Sequence, residues 1–239
     1  GEYKVMGMAA YGEPTIDFDD LLTFDSASGS LVPLEVHRLY DREYFSSIDE
    51  PYCRSDFIAD FTGVQRPDGT SFTQKHFDLA ASVQAHFSHC YLDLIGHYLQ
   101  ETSRKRLCLS GGTALNALAN MSLLEKELDE VYVMPAASDR GLSLGSALFG
   151  SLSLGDQPQP VTSMYLGREF STETIAQQLS SFGLSFETVD DPAEECSADI
   201  LGGKVVGWFQ GRSEFGPRAL GARSILASPS QAGMQETLN

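Results

Sequence analysis

The chain has 239 residues, 42% of them hydrophobic, which is enough to bury the core of one large domain or of one domain and part of another. Its formal net charge is −17, from 16 Lys and Arg against 33 Asp and Glu, so its field repels nucleic acid and anionic membrane surfaces. The sequence has no membrane-length apolar run and no secretory leader, and we expect a cytoplasmic protein with no nucleic acid or membrane partner.

Neither end of the chain has the pattern expected of a natural terminus. It starts at Gly1 without an initiator methionine and stops in an apparent helix turn at residues 234–239, so we expect a piece from the middle of a longer protein. Residues 15–75 carry no pattern that predicts a particular structure or role. Scattered cysteines without a Cys-x-x-Cys pair favour buried free thiols over disulfides or a zinc site. These are Cys53, Cys90, Cys108 and Cys196.

Strands and helices alternate in the middle of the chain. Helical spacing of apolar residues predicts a long amphipathic helix over residues 76–101. A short strand at 106–110 is followed by a glycine turn and a helix, and a strand at 131–135 is followed by a small-residue helix starting near Gly141. This alternation predicts an α/β sheet with helices packed on it. The apolar set of the long helix is Val83, Phe87, Cys90, Leu94 and Leu99.

Two prolines and several polar residues at 154–160 predict a domain boundary, which we place between residues 157 and 158. Beyond this boundary we expect a helix over residues 172–182 and a strand over 204–210. A run rich in glycine and arginine then covers residues 211–226.

The glycine turn after the first of these strands is a candidate nucleotide site. Gly111 and Gly112 let backbone N–H groups approach a ligand, and a helix N-terminus near Asn116 favours an anion. The alternative is a tight strand-to-helix turn without a ligand.

Asp139 is a candidate metal ligand, because it lies just past a strand end, where open α/β sheets usually bind ligands. One carboxylate does not complete a metal site, and the alternative role for Asp139 is the N-cap of the helix starting near Gly141. His86 and His89 are three residues apart on the long helix, and we interpret them as polar helix positions rather than metal ligands.

The arginine-rich run is the strongest local indication of function. Arg212, Arg218 and Arg223 lie within a dozen residues of an otherwise acidic chain, and guanidinium groups match the geometry of phosphate and carboxylate. The alternative is a surface loop whose arginines pair with surplus acids, including Glu214.

Motifs at residues 2–12, 107–116, 135–145 and 209–226 together closely resemble the carbamoyltransferase family of nodulation protein NodU and cephalosporin carbamoyltransferase CmcH. The resemblance implies the C-terminal part of an actin-like ATPase (TsaD-like) domain over residues 1–157. It implies the beginning of an α/β YrdC-like domain over residues 158–239. In such enzymes carbamoyl phosphate and ATP give carbamoyl-adenylate, and the carbamoyl group passes to a hydroxyl of a small-molecule acceptor, a sugar or an antibiotic-like compound.

The resemblance also implies roles for single residues. Asp139 matches a ligand of a divalent metal, which is iron in the family. The positions that match the nucleotide site are Gly111 and Gly112 with Asn116, and Lys4 is a further candidate for a phosphate. The positions that match the pocket for carbamoyl phosphate and ATP are Arg218, Arg223 and Ser224.

The sequence departs from the family pattern in two respects. The early His-x-x-x-His metal pair is absent, and the second half of the YrdC-like domain would follow Asn239. We therefore expect weak metal binding and no activity from the fragment alone. Two other interpretations stay open: an actin-superfamily sugar kinase or ATPase, and a non-catalytic nucleotide-binding domain.

Overall fold

A computed structural model of the chain describes residues 2–34, 55–65 and 72–238. The chain divides into two units, the first made of residues 1–109 and 113–133 and the second of residues 110–112 and 134–239. The predicted boundary between residues 157 and 158 refers to domains of the family, which this division does not test, so it stays a prediction.

The first unit is organised around one long helix. The helix predicted over residues 76–101 is confirmed as Gln74–Thr102, and residues 2–9, 22–25, 30–33 and 117–125 pack along it. Its buried face differs from the predicted one, since only Cys90 of the predicted apolar set is buried. The elements are α1 (Glu2–Ala9), β1 (Leu22–Asp25), β2 (Ser30–Pro33), α2 (Ser55–Thr62), α3 (Gln74–Thr102), β3 (Arg106–Leu109), α4 (Ala117–Met121) and β4 (Glu130–Val133).

A small apolar core forms beside α3. Phe18, Leu21 and Phe57 are buried together, and Phe61 and Leu79 pack against them. The core thus joins α2 and α3 to the segment before the β1–β2 hairpin, whose strands pair antiparallel. This segment lies in the region whose sequence predicted no structure, because its apolar residues follow no regular spacing.

β3 and β4 form a parallel pair, with Leu107 opposite Val131. Between them the predicted helix is broken into a 3₁₀ turn at Gly112–Leu115, α4, and a second 3₁₀ turn at Ser122–Glu125. Parallel strands need a crossover connection, and here it is helical, so the α/β prediction is confirmed. The TsaD-like assignment of this part stays a proposal.

The second unit contains several short helices and one antiparallel hairpin. Four predicted elements are confirmed: the small-residue helix, the helix near residue 172, the strand near 206 and the C-terminal helix turn. Two elements were not predicted: a helix opened by Asp191 and Pro192, and a strand that begins at Arg223. The elements are α5 (Leu142–Ser153), α6 (Thr172–Ser181), α7 (Pro192–Leu201), β5 (Val206–Phe209), β6 (Arg223–Leu226) and α8 (Met234–Leu238).

In the described part of the chain, no helix is both long and apolar enough to cross a membrane. Free thiols are found at Cys90 and Cys196, which are buried as expected, and at Cys108 in β3, which is exposed. The expectation of burial is therefore wrong for Cys108, because it lies with its strand partner Tyr132 on the exposed face of the β3–β4 pair. Cys53 lies outside the described residues.

Candidate functional site

The predicted arginine-rich run forms a loop that connects β5 to β6. The loop, residues 210–222, is closed at its base by a 2.9 Å hydrogen bond from the Gln210 N–H to the Ala222 carbonyl. Arg218 lies in this loop and is exposed, whereas Arg223 and Ser224 begin β6. In the hairpin register Arg223 lies opposite Phe209, and Ser224 lies opposite Trp208.

An extended segment, residues 164–168, lines the first half of the arginine loop. The N–H of Phe215 donates to the Met164 carbonyl at 2.7 Å, and the Gly167 N–H donates to the Ser213 carbonyl at 2.9 Å. The Tyr165 hydroxyl donates to the Leu220 carbonyl at 2.7 Å and so reaches the second half of the loop. Since buried or half-buried backbone groups need partners, these bonds give the loop a defined path.

Glu214 lies inside the arginine loop and binds its backbone. Its Oε1 accepts hydrogen bonds from the N–H groups of Leu220 (2.9 Å), Ala222 (2.8 Å) and Arg223 (3.1 Å). Burial acts to raise the pKa of the Glu214 carboxyl, but these backbone bonds outweigh it, and the pKa lies below its ordinary value. The interpretation of Glu214 as a surface partner for arginine side chains is therefore wrong.

The Arg223 side chain is held by two contacts. Its guanidinium group lies 4.6 Å from the centre of the Phe209 ring, and its Nη2 donates to the Ser213 hydroxyl. Neither contact neutralises the positive charge, but together they fix the orientation of the planar guanidinium group. Arg223 is thus a half-buried, oriented cation beside the loop that carries the exposed Arg218.

Asp139 lies in a 3₁₀ turn, Asp139–Gly141, directly before α5. The N-cap of α5 is Gly141 and that of the turn is Ser138, so the interpretation of Asp139 as a helix N-cap is wrong. Among the described residues its carboxylate has no hydrogen-bond or ion-pair partner, and the residue is exposed. This carboxylate is available to a ligand.

The arginine loop touches the segment that leads into the Asp139 turn. A Cβ at Gly216 would stand 2.7 Å from the Pro135 oxygen. The turn itself is tightly closed, since a Cβ at Gly141 would stand 2.3 Å from the Ala136 oxygen. Both approaches are closer than a side chain allows. Two motifs that lie about eighty residues apart in sequence therefore meet in one unit.

The glycine turn that follows β3 leaves open space beside it. A Cβ on Gly111 or on Gly112 would meet no atom within 4 Å, so packing does not explain these glycines. Gly111 has a φ of +89°, which favours glycine. The open surface is compatible with a ligand that approaches the backbone, and the predicted role of this turn stays a prediction.

Asn116 is the N-cap of α4 and is tied to α3. Its Oδ1 accepts from the Ala119 N–H at 3.1 Å, and its amide group forms reciprocal hydrogen bonds with Gln84 of 2.9 and 3.2 Å. These bonds give Asn116 a structural role, and its predicted contact with a nucleotide is untested. Lys4 lies exposed on α1, where its predicted contact with a phosphate is also untested.

The loop that follows α1 is fastened to the start of α3. A Cβ on Gly12 would stand 2.1 Å from backbone atoms of Phe77, and the Glu13 N–H donates to the Asp78 carboxylate at 3.0 Å. The buried Ser82 hydroxyl accepts from the N–H groups of Thr15 and Ile16, at 2.9 and 3.1 Å. The approach to Phe77 explains Gly12 of the first motif by close packing, whereas a Cβ on Gly7 would meet no atom within 4 Å.

His86 was interpreted as a polar helix position, but it lines a cleft of about 420 Å³ next to residues 14–18. Its Nε2 lies 2.8 Å from the Leu22 carbonyl, and ligand atoms of Asp17, Asp19 and His86 lie within 4.8 Å of one another. Sequence reasoning missed this cluster because the aspartates lie in a region without regular spacing. His89 is exposed and lies beside Asp93, as expected for a polar helix position.

The described residues do not complete the metal centre that the resemblance implies. Asp139 would supply one ligand atom, and a metal site needs several. In the described ranges the cluster formed by Asp17, Asp19 and His86 is the only group of three potential ligands, and it does not include Asp139.

Two family models match the chain. The model described as Carbamoyltransferase N-terminus matches residues 1–148, and the model described as Carbamoyltransferase C-terminus matches residues 197–239. The second match contains the arginine loop and β6.

Three relatives show the extent of the similarity. The nodulation protein NolNO of Sinorhizobium fredii is 36% identical over the whole chain, and the nodulation protein NolO of Bradyrhizobium diazoefficiens is 35% identical over the whole chain. The 3'-hydroxymethylcephem-O-carbamoyltransferase of Amycolatopsis lactamdurans is 36% identical over 56% of the chain and 25% of its own length. The chain spans 34% of the length of NolNO and 42% of that of NolO.

Proposed function

Because the chain belongs to the carbamoyltransferase family, we propose that the protein carrying it is an ATP-dependent O-carbamoyltransferase. The resemblance drawn from four sequence motifs is confirmed by the family matches. We propose further that the first part is TsaD-like and the later part YrdC-like, with carbamoyl phosphate as donor and carbamoyl-adenylate as intermediate.

The contact between Gly216 and Pro135 carries the proposal. It brings the segment that precedes the exposed Asp139 against a loop with an exposed arginine, in a chain whose net charge is −17. An acidic protein that binds a phosphorylated donor needs a local cluster of cations, and guanidinium groups supply bidentate hydrogen bonds to phosphate oxygens. Arg218 and Arg223 supply such charges within one unit.

We propose that the reaction proceeds through the following bond changes. Water cleaves carbamoyl phosphate to carbamate and phosphate, and a carbamate oxygen bonds to the α-phosphorus of ATP while pyrophosphate leaves. The acceptor hydroxyl then bonds to the carbamoyl carbon, AMP leaves, and the hydroxyl proton passes to solvent or a base. Negative charge develops on phosphate oxygens at each departure, so fixed cations stabilise these transition states.

Within this route we assign roles according to the position of each residue. The exposed Arg218 would bind the phosphate of the donor, and the oriented Arg223 would stabilise departing phosphate oxygens, with Ser224 beside it as a hydrogen-bond donor. The open turn at Gly111 and Gly112 would bind ATP. Asn116 and Lys4 are further candidates for nucleotide contacts, from the resemblance alone.

A metal at Asp139 would need ligands beyond the described residues, and no step here depends on one. The acceptor would be a small molecule with a hydroxyl group. The name of one relative specifies a hydroxymethyl cephem as its acceptor, and others are nodulation proteins. We therefore propose a sugar or an antibiotic-like compound for this protein.

The test uses the full-length gene product that carries these 239 residues. It is incubated with ATP and fresh carbamoyl phosphate, and mass spectrometry follows carbamoyl-adenylate, AMP and pyrophosphate. We expect formation that depends on carbamoyl phosphate and falls at least about tenfold in Arg218→Ala, because a charge-assisted contact is lost. Arg104→Ala, which removes an exposed arginine outside the loop, is the matched control.

Two results would overturn the proposal. ATP hydrolysis to ADP that is driven by a sugar and does not require carbamoyl phosphate would identify an actin-superfamily kinase. ATP binding without turnover under any of these conditions would identify a non-catalytic nucleotide-binding domain.

A further inference from the structure

The carboxylate of Glu214 connects the two halves of the arginine loop. Its backbone neighbours, Ser213 and Phe215, are bonded to the segment 164–168, which fixes the first half. Its Oε1 then receives the N–H groups of Leu220, Ala222 and Arg223, which lie six to nine residues further along the chain. The chain between these two fixed halves contains Arg218, and the second half ends at Arg223.

We propose that Glu214 is a positioning residue that holds Arg218 and Arg223 in the geometry that binds the phosphate group of the donor. This inference rests on the proposed function. Glu214 would act through the two arginines and would not itself touch substrate.

The choice of a carboxylate supports this role. A negative group beside an anion-binding loop repels the ligand unless its charge is balanced, and here three N–H dipoles point at Oε1. Hydrogen bonds to an ionised acceptor are about twice as strong as neutral ones, so a carboxylate holds the loop better than an amide.

The geometry argues against Glu214 as a general base. A base must have its oxygen within hydrogen-bond reach of the proton it takes and a pKa near the working pH. The Oε1 of Glu214 is already occupied by backbone donors, and its bonds to the backbone hold its pKa below the ordinary value. The carboxylate therefore stays ionised and serves as an acceptor.

Four variants of the full-length gene product test the inference. Glu214→Ala removes the acceptor, Glu214→Gln keeps an oxygen at the same reach without the charge, and Glu214→Asp shortens the side chain by one methylene. Glu187→Ala removes an exposed glutamate elsewhere in the same unit and is the matched control.

Two measurements separate positioning from folding. Calorimetry gives the Kd for fresh carbamoyl phosphate without ATP, so that no turnover is needed, and the Kd for ATP alone. Hydrogen exchange followed by mass spectrometry reports on the amides of residues 216–226. Formation of AMP is measured separately.

We expect Glu214→Ala and Glu214→Asp to weaken carbamoyl phosphate binding about tenfold to a hundredfold, since misplaced binding groups cause losses of this size. Glu214→Gln should fall between wild type and Glu214→Asp, because the acceptor oxygen stays in reach but its hydrogen bonds are weaker without the charge. Exchange at residues 216–226 should quicken in the Ala and Asp variants, with the Kd for ATP unchanged. If Glu214→Ala does not fold, the difference in Kd for carbamoyl phosphate between Glu214→Gln and Glu214→Asp tests the inference.

An unchanged Kd for carbamoyl phosphate in Glu214→Ala or Glu214→Asp, even with faster exchange, would reduce Glu214 to a structural residue and overturn the inference. Wild-type protein that does not bind carbamoyl phosphate would overturn it too. Binding that depends on Glu214 in a protein that forms no AMP would support the inference while refuting the proposed transferase function.

Discussion

Gly216 of the arginine loop lies against the carbonyl group of Pro135, in the short segment that connects β4 to the Asp139 turn. A Cβ at this glycine would stand 2.7 Å from the Pro135 oxygen, and its φ of +129° is one that other residues rarely adopt. Both the close approach to Pro135 and the positive φ therefore require glycine at this position. It is the point at which two of the sequence motifs meet.

Gly216→Ala should separate the arginine loop from the Asp139 turn. Strained backbone of this kind costs about 1–3 kcal/mol, and the clash with Pro135 adds to it, so the loop should move. We expect formation of AMP that depends on carbamoyl phosphate to fall at least about tenfold, measured as kcat/KM on the full-length gene product.

Gly145→Ala is the matched control for this substitution. Gly145 lies within α5, and a Cβ there would meet no atom within 4 Å. Alanine in a helix interior is more stable than glycine by about 0.5–1 kcal/mol, so this variant should keep its activity and melt slightly higher. Full activity in Gly216→Ala would show that the contact with Pro135 does not matter for the site.

Helices and strands whose apolar residues follow a regular spacing could be predicted from the sequence. The spacing of apolar residues located α3, and a short apolar run before a glycine turn located β3. The spacing did not identify the buried residues of α3, because all of them except Ile95 are small. At Ser82 the close approach of the backbone at Thr15 and Ile16, rather than hydrophobicity, accounts for the burial.

The internal structure of the arginine loop could not be predicted. Glu214 and Arg223 are close in sequence and opposite in charge, which favours an ion pair, yet Glu214 binds backbone N–H groups. Likewise, Asn116 looked like a ligand-binding residue, while its amide group caps α4 and pairs with Gln84. Hydrogen bonds to the backbone depend on the folded path of the chain, and the residue types alone do not reveal them.

The cap and the amide pair predict the effect of two substitutions at Asn116. Asn116→Ala removes the cap, which costs about 0.5–2 kcal/mol, and leaves the half-buried Gln84 amide without its partner. Asn116→Ser keeps a side-chain oxygen for the cap but loses the pair. We expect stability to fall in the order wild type, Ser, Ala, measured by thermal unfolding.

A nucleotide titration distinguishes this structural role from the predicted ligand contact. If Asn116 touches ATP, Asn116→Ser should weaken ATP binding more than Gln84→Ala, although both break the same amide pair. Equal Kd values for ATP in these two variants would restrict Asn116 to its structural role.

The lowered pKa of Asp78 predicts that the stability of the folded chain depends on pH. The Glu13 N–H and then the Gln74 amide hold the pKa of Asp78 below its ordinary value of 3.8. Since the unfolded chain binds the proton more readily, the ionised carboxylate adds stability above the unfolded pKa, and this gain is lost as the pH falls through the lower folded value.

We therefore expect Asp78→Asn to melt below wild type by a constant margin above about pH 5, with the margin shrinking at more acidic pH. Thermal unfolding across pH 3 to 8 measures it. Asp60→Asn, at an exposed position of α2, is the control and should show no such trend. A margin that grows on acidification would contradict the assigned sign.

Ser213 and Arg223 should be energetically coupled, because Arg223 donates to the Ser213 hydroxyl while its guanidinium group stacks on Phe209. Ser213→Ala removes one contact and Arg223→Ala removes both, so a double-mutant cycle isolates the hydrogen bond, for which we expect about 0.5–1.5 kcal/mol.

Arg223→Lys keeps the charge without the planar fork. If orientation matters for the reaction, Arg223→Lys and Ser213→Ala should each lower kcat for AMP formation more than they lower the melting temperature. Loss of stability alone, with kcat intact, would mean that Arg223 only fastens β6 to β5.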